Sequence, residues 1–138
     1  MGYRILIGNA VETPDGPAIE QLHLDDAPAF PGDDDCHHLN ERAESYTAWA
    51  NFAEATGLHG MFFHPDHGLL TQHPGLAPIT PAHVEEVQRA LQRQVKSGRG
   101  QMPGFGVGLD YTAARLLWLD WWMRWAVKNC ESPAIQNS

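Results

Sequence analysis

The sequence predicts an α+β fold: an N-terminal β-hairpin packed on about three helices, with a tryptophan-rich C-terminal helix at the centre and long ordered loops. Three observations carry this expectation. A run of β-formers ends in a Pro-Asp-Gly turn. Two later stretches place apolar residues at helical spacing between recognisable start and stop signals. A last stretch, Tyr111 to Asn129, is apolar nearly all round, which suits the middle of a domain. With 138 residues, 43% of them hydrophobic, the chain fits one compact domain over residues 1–138.

The hairpin begins with Tyr3-Arg4-Ile5-Leu6-Ile7. Its turn is Thr13-Pro14-Asp15-Gly16-Pro17, where proline presets φ and glycine accepts a positive φ. Ala18 to Leu24 returns as the second strand. Since a lone hairpin is marginal in water, it must pack on the helices. Asp25 to Asn40 reads as a loop, with Pro28, Pro31, Gly32 and five aspartates.

A short amphipathic helix is expected over Ser45–Thr56, with Tyr46, Trp49, Phe52 and Ala53 on its apolar face and Gly57 as its stop. Leu58 to Ile79 reads as a long connection broken by Pro65, Gly68, Pro74, Gly75 and Pro78. The next helix is capped by Thr80, opened by Pro81 and ended by Gly98. Glu85 and Glu86 are expected in its first turn, Arg93, Lys96 and Arg99 near its end, and Val84, Val87, Leu91 and Val95 as its buried stripe. Gly100 to Gly108 reads as a loop and Asp110 as the cap of the last helix. On that helix Tyr111, Trp118, Trp121, Trp122 and Trp125 share one face. Asp120, Arg124, Lys128 and Glu131 share another. Plain core is the expectation for most of the rings, with some lining a ligand cavity as the functional alternative.

Charge is divided unevenly. Residues 1–75 hold twelve Asp+Glu and two Lys+Arg, 2 − 12 = −10; residues 76–138 hold five and seven, 7 − 5 = +2. An overall charge of −8 argues against nucleic-acid binding, which needs a basic surface. Arg115, Asp120 and Arg124 interrupt the longest apolar stretch, which argues against a membrane span. The N-terminus has no signal-peptide pattern, and Cys36 and Cys130 form no CxxC pair, so free thiols in the cytoplasm are expected.

Seven of the eight histidines lie before residue 76. Asp33-Asp34-Asp35-Cys36-His37-His38 and His64-Pro65-Asp66-His67 offer the imidazole and carboxylate donors that zinc or manganese takes. Neither stretch has the spacing of a known metal motif, and a solvated turn is the simpler reading. Pro103-Gly104-Phe105-Gly106-Val107-Gly108 matches no phosphate-loop pattern, and Asp110 would repel an anion there. No nucleophile signature is present.

The preferred functional expectation is a non-enzymatic binding or inhibitor module of bacterial or phage type, with no cofactor. It would use an acidic surface including Asp33, Asp34 and Asp35, or a pocket lined by Trp118, Trp121, Trp122 and Trp125. Its partner would be a protein with a basic surface or a small ligand. The alternative is a divalent-metal hydrolase, with zinc held by His37, His38, His64, Asp66 and His67.

Overall fold

The computed structural model describes residues 2–28, 38–96 and 111–138. Five antiparallel strands and four helices follow one another as β1 (Gly2–Thr13), β2 (Gly16–Ile19), β3 (Glu41–Ser45), α1 (Tyr46–Thr56), α2 (His59–Phe63), β4 (Gly75–Pro78), α3 (Pro81–Lys96), α4 (Tyr111–Asn129) and β5 (Pro133–Asn137). The α+β class is as the sequence predicts. The hairpin, however, belongs to a five-stranded sheet, and the connection after Leu58 contains both α2 and β4.

The long strand β1 organises the sheet. One edge pairs with β3 along Gly2–Leu6 and with β2 along Ala10–Thr13. The other edge pairs with β5 along Ile5–Asn9, and β5 in turn pairs with β4. The turn between β1 and β2 has Pro14 and Asp15 at its tip. Proline cannot adopt the positive φ of the usual two-residue hairpin turns. Gly16 supplies it one residue later, at φ 107°.

Where β2 and β3 part, Asn40 holds the sheet together. It is buried, and its Nδ2 donates to the carbonyls of Ile7 (2.9 Å) and Glu20 (3.0 Å). Its Oδ1 accepts from the Leu22 amide at 2.7 Å. Its main chain bonds Ile7 and Leu22 as well, so all of its donors are used.

Strand alternation splits the apolar side chains between two faces. Ile5, Ile7 and Ile135 enter the main core with the helices. Leu6, Ile19 and Ala134 form a small cluster on the other face, where Gln136 Oε1 accepts from the Ile19 amide at 2.9 Å.

The helices begin and end as their signals require. Ser45 Oγ caps α1 by accepting from the Ala48 amide at 3.0 Å. Gly57 ends it at φ 78°, and Leu58 behind it is fully buried. Trp49, Phe52 and Ala53 fill the core, but Tyr46 is 53% exposed. As the first residue of the helix it lies at the edge of the packed face, edge-on to Phe63. On α3 the buried line is Val87, Ala90 and Gln94, with Val84 and Leu91 half-buried beside it. The side chains of Val95 and Tyr111 lie outside those described. With Pro81 as first residue, Glu85 and Glu86 fall in the second turn, not the first.

Helix α4 packs against α1, α3, β1 and β5, the central place expected of it. Leu116, Trp118, Leu119, Trp122, Met123 and Ala126 are all buried. Asp120, expected on a polar face, is buried too. Enclosure on several sides leaves little outer face on this part of the helix, and Arg124 one turn on holds Asp120 Oδ2 at 2.9 Å.

Candidate functional site

The carboxylates divide into two populations. Those at covered positions have cationic partners. Glu44 on β3 receives a two-pronged bond from Arg115 on α4, at 3.0 and 3.1 Å. Glu41 meets Arg4 at 2.7 Å, and Asp120 meets Arg124. The geometry is what a carboxylate removed from water requires.

The second population has no lysine or arginine beside it among the described residues; five of its members lie on the β1–β2 hairpin and the loop behind it, and Glu54, Asp66, Glu85, Glu86 and Glu131 lie elsewhere. β5 pairs with β1 only as far as Asn9, and Ala10 and Ile19 still pack with Leu6 and Ala134, so residues 11–18 extend beyond them as a two-stranded ribbon. Glu12 and Asp15 are exposed on it, Glu20 is exposed at its base, and Asp25 and Asp26 follow. Asp25 faces His23 at 3.7 Å. None of the five meets a lysine or arginine among the described residues. The ribbon itself contains no basic residue. Asp33, Asp34, Asp35, Cys36 and His37 lie outside the described residues, as do Gly100–Gly108 and Asp110.

The four tryptophans separate by depth. Trp118 and Trp122 are buried; Trp121 and Trp125 are half-buried and pack against the same core. Trp118 Nε1 donates to the Leu39 carbonyl at 2.8 Å. Trp122 stands edge-on between Trp121 and Trp125, and its Nε1 finds no partner among the described residues. A cavity of about 240 Å³ lies between the start of α3 and the end of α4. A more polar one of about 320 Å³ lies beside β4, next to Gly68, Thr71 and Gln72. No tryptophan lines either.

The histidines are brought together only in part. His64 and His67 stack with ring centres 3.9 Å apart and planes 7° from parallel. Imidazole lone pairs lie in the ring plane, so parallel stacked rings do not aim at one ion. His64 Nδ1 also accepts the Asp66 amide at 3.1 Å. His38 lies against His23, with its Nδ1 donating to the Ala27 carbonyl. Among the described residues, no three His, Cys, Asp or Glu side chains are grouped closely enough to hold a metal. Cys130 is a free thiol, and burial raises its pKa.

One histidine was not singled out by sequence reasoning. Thr80 Oγ1 accepts the His83 amide at 3.4 Å, while His83 Nδ1 accepts the Thr80 amide at 3.0 Å. This is the reciprocal capping box of a helix start, with histidine in the third position where glutamate or glutamine is usual. Only a neutral imidazole can accept that bond. Burial lowers the His83 pKa, Glu86 opposes the shift, and His67 adds to it. The signal was available as Thr80-Pro81-Ala82-His83.

Comparison with protein-family models, with curated proteins and with solved structures finds no match. No helix among the described residues is long and apolar enough to cross a membrane.

Proposed function

We propose that this chain is a non-enzymatic binding module that presents the acidic β1–β2 ribbon to a basic protein surface. The observation supporting this reading is the separation of the carboxylates. Glu41, Glu44 and Asp120 are paired with arginines, while Glu12 and Asp15 on the ribbon and Glu20 at its base stand exposed with no cation beside them among the described residues. Exposed like charges stabilise no fold, but they speed encounter with an opposite surface and set its orientation. Asp33, Asp34 and Asp35, which follow the same loop in sequence, would extend the acidic surface. A bacterial or phage origin, an inhibitory role and a cytoplasmic setting belong to this proposal as well. The tryptophans act in it as core, since Trp118 and Trp122 are buried.

The test is an amide NMR titration at low salt with a short arginine-rich peptide as the basic probe. The largest shifts are expected at Glu12, Asp15, Glu20 and Asp25, and they should shrink as salt is raised. The exposed Glu54 and Asp66 are internal controls outside the ribbon. Equal shifts at those controls would mean that the ribbon has no special status.

A further inference from the structure

We propose that the cavity between α3 and α4 binds a small zwitterion with an apolar body, of the class of the apolar free α-amino acids. Its floor is Pro81 and Val84 from the start of α3 and Val127 from the end of α4, and its lining is almost wholly apolar. Its rim is charged with both signs. Glu85 stands on the α3 side; Arg124 and Lys128 stand on the α4 side. Arg124 is held by Asp120 one turn earlier. Glu85 and Lys128 form no ion pair with each other, nor with any other described residue. The lining therefore carries an anion from α3 and a cation from α4, each unpaired among the described residues, beside its apolar residues.

Those three features specify a ligand chemistry. The apolar floor takes a side chain, Lys128 takes a carboxylate, and Glu85 takes an ammonium. A plain carboxylic acid would leave Glu85 unanswered, and an amine would leave Lys128 unanswered. Size points the same way. At about 240 Å³ the cavity is smaller than sites for drug-sized molecules, which run from roughly 300 to 1,000 Å³. It exceeds the roughly 150 Å³ hole that admits benzene. The wall on the α3 side is also pre-ordered, because the Thr80–His83 capping box fixes the turn that supplies Pro81 and Val84.

An amide NMR titration with L-leucine tests the proposal, with glycine, 4-methylpentanoate and 3-methylbutylamine as comparison probes. Leucine should give saturable shifts at Val84, Glu85, Val127 and Lys128, with a Kd on the order of 1 mM. Glycine, lacking the apolar body, should give none. Each single-charge probe should bind roughly three- to fivefold more weakly than leucine, the range of an exposed ion pair. Glu85→Gln should weaken leucine by that factor and leave 4-methylpentanoate unchanged. Lys128→Gln should weaken leucine and leave 3-methylbutylamine unchanged. Both residues are exposed, so neither change endangers folding. Absence of saturation, shifts centred elsewhere, or equal binding of leucine and 4-methylpentanoate to the unmodified protein would overturn the proposal.

Discussion

The base of the β1–β2 hairpin and its outer end are made from the same two strands, yet they treat polar groups in opposite ways. At the base, Asn40 is buried and all its donors are used, while Arg4 and Gln21 both reach Glu41. At the outer end, Glu12 and Asp15 face water with no cation beside them among the described residues. The difference follows from solvation. A polar group removed from water costs free energy unless it is bonded, whereas one left in water needs nothing. Groups at the base therefore specify the fold, and charges at the tip would be spare for the encounter proposed above.

The largest effect is expected where burial is deepest. Trp122→Ala should destabilise the protein by about 3–5 kcal/mol, because a fully buried ring would leave a cavity in the main core. Denaturant unfolding checks this. A change near zero would show that the tryptophan face is not core, and would return the rings to the list of ligand contacts.

Asn40→Ala should cost about 2–3 kcal/mol, since it removes three side-chain bonds and leaves the Leu22 amide and the Ile7 and Glu20 carbonyls without that partner. Hydrogen exchange sharpens the comparison. Protection should fall first at Ile7 and Leu22, where β2 and β3 part, and should be retained on α4.

The capping box gives a smaller and pH-dependent effect. The folded-state pKa of His83 lies below its ordinary value of 6.5, so folding favours the neutral ring. The stability it adds is present above that ordinary value and is lost as pH falls through the lowered folded-state value. His83→Ala should cost about 1 kcal/mol at pH 8 and progressively less on acidification. His83→Glu should keep the box down to the carboxylate range. Unfolding midpoints of the three proteins measured across pH decide it: parallel curves for wild type and His83→Ala would remove the box from the account.

These positions also show what the sequence can and cannot disclose. The hairpin turn was legible because Pro14, Asp15 and Gly16 have a local mechanism for turning the chain; the second strand was misplaced, since it spans Gly16–Ile19 where Ala18 to Leu24 was expected. Helices α1, α3 and α4 were legible because period and punctuation agree, as at Ser45, Gly57 and Thr80. Strands β3, β4 and β5 were not. Their sequences, ERAES, GLAP and PAIQN, carry little alternation and are made into strands by pairing with β1 and with each other. The buried state of Asp120 was hidden for the same reason: which side of a helix meets protein is decided by its neighbours, not by its own residues. At the candidate site, the excess of acid in the first half was legible from composition. Its division into paired and spare carboxylates was not, because Glu44 finds Arg115 across 71 positions of sequence.

One comparison of unfolding midpoints tests whether the carboxylates divide in this way. The combined variant Glu12→Gln, Asp15→Asn, Glu20→Gln is set against the single variant Glu44→Gln. The triple change should leave stability within about 0.5 kcal/mol, or raise it slightly by relieving like-charge repulsion. Glu44→Gln should cost about 2 kcal/mol, because it breaks a two-pronged bond and leaves the Arg115 guanidinium, mostly covered, without its carboxylate. A triple variant as destabilised as Glu44→Gln would show that the ribbon's carboxylates hold the fold together, and would leave no spare charge with which to bind.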